Sequence, residues 1–259
     1  MKKKSKMAFT LVELAIVIVI IGLLVSGVLV GQELIAQAKI RAQLQQLEGY
    51  NAALLTFKSK YDYLPGDIPI AHANKFGIAS GSGSSAVPPN GDGLIGDGNG
   101  NVPPLAFYPE PRYFFIHLSQ VKLVKEVLGF ESNSSAIGDT YPEDRLGKGG
   151  IAAISLREGG VWFFMGPTRR STSGNTAIYL SENPSVTPSQ ALTIETKIDD
   201  GHPGVGSVRA VIVTSSVSTT FTNDVTPANN CVNTDLAGYN VSGVNSEKPT
   251  CRLIIKTAS

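Results

Sequence analysis

From Phe9 to Val30 the chain is almost unbroken in its apolar character: 17 of these 22 residues are Ala, Val, Ile, Leu or Phe. A helix of that length spans about 33 Å, against about 30 Å for the hydrocarbon core of a bilayer. Beyond Gln32 the pattern turns amphipathic. Ile40, Leu44, Leu47, Tyr50, Leu54, Phe57 and Tyr61 recur at spacings of three and four, which is one stripe of a helix. Lys39, Arg41, Gln43, Gln45, Gln46, Glu48 and Lys58 fall mostly on the other faces. Leu64–Pro65–Gly66–Asp67 ends the run, because Pro and Gly break helices. The pattern predicts one helix of roughly 55 residues, half suited to lipid and half needing a sheet or other helices to cover its stripe.

The rest of the chain alternates short elements with long turns. Residues 77–104 hold eight Gly and four Pro and read as an extended loop. A second helix is predicted over 109–128, with Phe114, Phe115, Leu118, Val121 and Val124 inward, His117 as a core-edge or polar contact, and Gly129 as the stop. Residues 151–156 and 161–165 flank Glu158–Gly159–Gly160, a hairpin signature. Residues 176–180 suit a strand. Thr187–Pro188–Ser189–Gln190 carries a helix start, with Thr187 as cap and Gln190 three residues on, and the helical spacing lasts to Asp199–Asp200–Gly201. Strands are predicted over 207–214 and 252–256, separated by a stretch (214–230) with eight Ser or Thr in 17 residues. The fold class is α+β.

Charge sharpens the picture. The 22 basic and 21 acidic side chains nearly cancel, which excludes a dominant basic field of the nucleic-acid type. The Arg169–Arg170 pair reads as a solvated turn, so no nucleic acid is expected as a partner. The balance hides a segregated map. Lys2, Lys3, Lys4 and Lys6 precede the apolar run, and between Met7 and Gly31 the only charge is Glu13. Basic residues before the span predict a cytoplasmic N-terminus and an exported remainder. A cleavable secretory signal has a shorter apolar core and a small-residue cleavage site after it. A plain signal anchor leaves Glu13 unexplained, since a carboxylate at that depth costs about 3 kcal/mol.

Lys6–Met7–Ala8–Phe9–Thr10–Leu11–Val12–Glu13–Leu14 resembles the N-terminal signal of type IV pilins and type II secretion pseudopilins. The resemblance covers about 25 residues and implies a pilin-like layout: a leader (1–8), a transmembrane and amphipathic helix (9–64), and a periplasmic or extracellular head (65–259) built on an antiparallel sheet. It implies cleavage by a prepilin peptidase between Ala8 and Phe9 and N-methylation of Phe9. It also implies pairing of Glu13 with the terminal amine of a neighbouring subunit. The partners implied are copies of the chain or other pilins, the inner membrane and its assembly platform. Ala8 stands where the family usually has Gly, and Val30 where it often has a helix-breaking Pro. Gly22, Gly27 and Gly31 are therefore the positions where the helix can loosen, or where a second helix can approach closely. Loss of residues 1–8 would leave 18 basic against 21 acidic side chains, a net −3. The alternative class is a monomeric, membrane-anchored envelope protein whose head binds calcium or an adhesion ligand.

The remaining chemistry is sparse. Gly91-x-Gly93-x-x-Gly96 matches a dinucleotide fingerprint only formally, because no strand precedes it and no helix opens from it. Asp92 and Asp97 alternate with glycines and asparagines, and with Asp199 and Asp200 they form a candidate calcium set; turn-forming chemistry and helix capping are the other explanation of all four. His72, His117 and His202 are scattered, and no nucleophile elbow, P-loop or H-E-x-x-H pattern occurs, so no enzyme is expected and no cofactor besides calcium is suggested. Cys231 and Cys251 are the only cysteines, both in the exported part, which suggests a disulfide. Closing a loop of that length stabilises by about 3 kcal/mol in the chain-entropy account.

Overall fold

The computed structural model describes residues 10–78, 89–96, 101–102, 109–126, 128–129, 137–138, 140–147, 149–156, 159–166, 169–170, 178–179, 184–211, 219–220, 231–233, 238–242 and 246–258. Its first element, α1 (Leu11–Tyr61), is a single 51-residue helix. The end comes at Asp62, which adopts a left-handed conformation (φ 60°) and donates its N–H to the Lys58 carbonyl, three residues before Pro65. Two chemistries share this helix. From Leu11 to Ile35 its large apolar side chains are exposed, whereas Ile40, Leu47, Tyr50, Ala53, Leu54, Phe57 and Tyr61 are buried.

What covers that stripe is a four-stranded antiparallel sheet with further helices, an α+β arrangement. The short helix α2 (Ile70–Lys75) follows the Leu64–Asp67 corner. A two-residue strand, β1 (Asn101–Val102), interrupts the stretch expected to be loop throughout, and Ile95 in the same stretch is buried. Ile95 is fixed by two bonds to β2 (Gly150–Ser155): its N–H donates to Ser155 Oγ at 2.8 Å, and its carbonyl accepts the Ser155 N–H at 2.8 Å.

Helix α3 (Pro109–Gln120) is shorter than the predicted 109–128. Lys122 takes a positive φ of 60°, its N–H bonds the Ser119 carbonyl, and the Leu123 N–H reaches back to the Leu118 carbonyl. That pair of bonds is a Schellman ending, here with Lys rather than Gly at the left-handed position. Val121, Leu123 and Val124 still pack on the core from outside the helix.

The hairpin forms as predicted. β2 pairs with β3 (Val161–Gly166) from Gly150↔Gly166 to Ser155↔Val161, and every residue of both strands is buried. Runs without polar alternation belong to strands covered on both faces. On one side Phe163 meets Tyr50, Phe114 and Phe115, with ring centroids 6.1–6.3 Å apart. Beside it in β3, Trp162 carries the Arg209 guanidinium at 4.9 Å and the Lys256 ammonium at 5.7 Å. The sheet order is β2-β3-β8-β6, where β6 is Val208–Ala210 and β8 is Leu253–Lys256, so the strand latest in the chain is interior. Helix α4 (Pro188–Ile198) starts as its sequence requires: Thr187 Oγ1 accepts the Gln190 N–H, and Gln190 Oε1 accepts the Thr187 N–H.

Smaller pairings complete the fold. Arg169–Arg170, expected as a turn, is strand β4, paired with β5 (Ile178–Tyr179), because two extended segments satisfy each other's backbone groups there. β1 pairs with β7 (Thr219–Thr220) inside the Ser/Thr-rich stretch. Of the predicted strands 176–180 and 207–214, Ile178–Tyr179 and Val208–Ala210 are strand, and residues 176, 177, 180 and 212–214 lie outside the described residues.

Gly66 is the position that the corner cannot change. Its φ is 90°, its N–H donates to His117 Nδ1 at 3.0 Å, and a Cβ there would collide with the Glu110 backbone carbonyl. Gly66→Ala is expected to lose about 2–4 kcal/mol in urea unfolding. Gly77→Ala, at φ 69° in open space, is expected to lose about 1 kcal/mol. Equal losses at the two sites would show that the collision is relieved.

Candidate functional site

Three places among the described residues carry chemistry. The first is the start of α1. Thr10 caps the helix, and Glu13 completes a capping box: its Oε2 accepts the Thr10 N–H and the Thr10 hydroxyl, both at 2.8 Å, while Thr10 Oγ1 accepts the Glu13 N–H at 3.3 Å. The carboxylate anticipated for an intermolecular pair thus already serves its own helix end. Beyond the backbone of their own helix turns and their chain neighbours, Gly22, Gly27 and Gly31 have nothing within 4 Å of where a Cβ would stand. By length and composition this helix can cross a membrane, and none of its most apolar window is buried. Ala8 and Phe9 lie outside the described residues.

The second place is the corner after α1. Asp67 is buried, and its two oxygens accept the N–H groups of Gly91 (2.7 Å) and Gly93 (2.8 Å). Glu110, also buried, accepts the Gly96 N–H at 2.7 Å through Oε2. The three glycines of the apparent dinucleotide fingerprint therefore give their amides to the protein's own carboxylates. Donors that cradle a phosphate elsewhere are occupied here, which is the structural reason to discard that motif. Burial pushes Asp67 up to about 6, opposed by the Gly93 and Gly91 amides. Burial pushes Glu110 up to about 8, opposed by the Gly96 amide and reinforced by the charges of Asp67 and Asp92. His117, behind the corner, is fully buried and is pushed down to about 4 by that burial, so it is neutral and accepts at Nδ1.

The third place is the end of α4. Glu195, Asp199 and Asp200 each bring one carboxylate oxygen to within 4.8 Å of the others. Asp199 Oδ2 accepts the N–H groups of Ser207 and Val208, and Asp200 Oδ1 accepts the His202 N–H at 2.9 Å. The Tyr239 hydroxyl donates to Glu195 Oε2. Burial pushes Glu195 up to about 7, with the Tyr239 hydroxyl opposing and Asp199 and Asp200 reinforcing the shift. Tyr239 belongs to the segment closed by the cysteines, where Cys231 and Cys251 are bonded with their Cα atoms 5.0 Å apart.

The candidate calcium set is therefore divided. Asp199 and Asp200 come together at the end of α4, but Asp92 binds within its own turn, accepting the Leu94 N–H at 2.9 Å and the Asn90 side-chain amide at 2.8 Å. Asp97 lies outside the described residues. The residue that sequence reasoning missed at the α4 site is Glu195, although it lies four residues before Asp199, which caps the helix and whose N–H bonds the Glu195 carbonyl. Asp67 and Glu110 carried no signal, since their glycine partners are distant in sequence.

No family model matches this sequence, and neither a curated protein nor a solved structure matches it significantly.

The corner makes a pH prediction. Asp67 and Glu110 hold protons more tightly in the folded chain than in the unfolded one, so protonation favours folding. Their contribution is complete below their ordinary values of 3.8 and 4.5 and is lost as pH rises through about 6 and then about 8. The thermal midpoint of the protein in detergent is expected to fall between pH 5 and pH 9, roughly the window these two groups span. Glu110→Gln should narrow that fall. A variant whose midpoint drops as far as that of the wild type would remove Glu110 as a source.

Proposed function

We propose that the protein is a structural subunit of a type IV pilus-like filament or of a type II secretion pseudopilus. In this proposal prepilin peptidase cuts between Ala8 and Phe9, Phe9 is methylated, and the subunit waits in the inner membrane with its N-terminus cytoplasmic and its head periplasmic. Assembly then packs the apolar halves of α1 from many copies, or from other pilins, into a filament core. The observation that supports this most is the division of α1: one half is the floor of the head's core, and the other has no cover within the described residues.

The single carboxylate of the most apolar stretch sits at its very start. Glu13 Oε2 is held by Thr10, which aims the charge at the end of the helix where the new amine of a processed subunit would lie. Opposite charges stabilise each other strongly in apolar surroundings. A neighbour's Phe9 amine would then neutralise Glu13 and set the axial register between subunits.

Glu13→Ala is expected to be processed normally but to yield few filaments, measured by shearing and immunoblotting. Thr10→Ala removes the cap, worth about 1 kcal/mol, and should assemble far better than Glu13→Ala. Equal defects would reduce Glu13 to a capping residue. Mass spectrometry of the mature protein should find Phe9 as the methylated first residue; retention of Met1 or Lys2 would favour the monomeric, membrane-anchored binding protein.

A further inference from the structure

The two acidic clusters of the head differ in how their oxygens are used. At the corner, both oxygens of Asp67 accept backbone amides, and both oxygens of Asp92 are bonded within its turn. The oxygen left over there is Glu110 Oε1, buried without a hydrogen-bond partner, and among the described residues the corner carboxylates do not gather three oxygens within 4.8 Å of one another. At the end of α4 the pattern is different. Asp199 uses Oδ2 for the Ser207 and Val208 amides, and Asp200 uses Oδ1 for the His202 amide. Among the described residues their other oxygens accept no hydrogen bond.

Glu195 supplies an independent observation. Its side chain is fully buried at 0% exposure, Oε2 is bonded by Tyr239, and Oε1 is buried with no hydrogen-bond partner among the described residues. A buried carboxylate oxygen without a partner is costly, and the side chain that carries it is one of the three that each bring a carboxylate oxygen within 4.8 Å of the others. Oxygens so spaced suit one ion with ligand distances of about 2.3–2.6 Å.

From this arrangement we propose that Glu195, Asp199 and Asp200 form a calcium site. Three carboxylates without a nitrogen or sulfur ligand favour a hard cation, and calcium accepts irregular geometry that magnesium does not. Asp199 and Asp200 belong to the sequence-derived set, whereas Glu195 and the exclusion of Asp92 come from the structure. The ion would tie three segments together: the end of α4, the turn leading into β6, and the disulfide-closed segment through Tyr239. The site does not depend on filament assembly, so it stands or falls separately from the proposed function.

The test is calorimetric titration of the chelator-treated, full chain in detergent with calcium chloride, alongside thermal unfolding with and without calcium. One saturable site and a raised thermal midpoint are expected. Asp200→Asn, at an exposed position that leaves the core intact, should weaken binding at least about tenfold, and Glu195→Gln should do the same. Asp92→Asn should bind as the wild type does. No saturable binding, or binding unchanged in both Asp200→Asn and Glu195→Gln, would overturn the site. Equal affinity for magnesium would overturn its assignment to calcium.

Discussion

The stripe from Ile40 to Tyr61 is both the second half of a continuous helix and the floor of the head's core. Leu54 and Phe57 are fully buried there, and Tyr50 meets Phe115 edge-on at 5.0 Å and Phe163 at 6.1 Å. Polar groups on the same helix also reach the head: Gln43 Oε1 accepts the Arg145 N–H at 2.7 Å, Gln46 donates to the Glu143 carbonyl at 2.8 Å, and Asn51 Oδ1 accepts the Ala258 N–H at 3.0 Å. The sheet and α3 therefore cannot complete their packing without α1. Because α1 runs unbroken from Leu11 to Tyr61, the orientation of its uncovered half relative to the head is set by the same contacts.

Burying carboxylates is the other constraint, and the head meets it in two ways. At the corner, amides of a glycine-rich segment bond both oxygens of Asp67 and Oε2 of Glu110, so a loop with little apolar content is held by polar bonds. Ile95 then anchors it in the core. At the end of α4, Glu195 is only half satisfied, and Tyr239 joins it to the disulfide segment. Both arrangements place negative charge where water is scarce, which explains why these carboxyls titrate above their ordinary range.

The regular elements were legible because they rest on local signals. The period of α1, the Thr187–Gln190 box and the Gly159–Gly160 turn each lie within a few residues of what they specify. The end of α3 was not legible: Lys122 adopts a left-handed conformation that Lys rarely takes, so nothing in residue type marked the stop. The candidate sites were legible only in part. Glu13 stood out as the lone charge in an apolar run, but its bond to Thr10 did not. Asp67 looked like a turn residue because its partners, Gly91 and Gly93, are brought to it only by the fold, and grouping Asp92 with Asp199 and Asp200 failed for the same reason.

The place of β8 in the sheet has a consequence in time. Leu253–Lys256 lies between β3 and β6, so the sheet lacks an interior strand until residues 253–256 have arrived. α1 is complete long before that, and pairings between distant segments form late and slowly. A chain delivered from its N-terminus would therefore present a finished helix attached to an unfinished head. Loss of residues 253–256 would open the middle of the sheet and leave two separated edges, whereas a cut of the same length at an outer strand would only trim one.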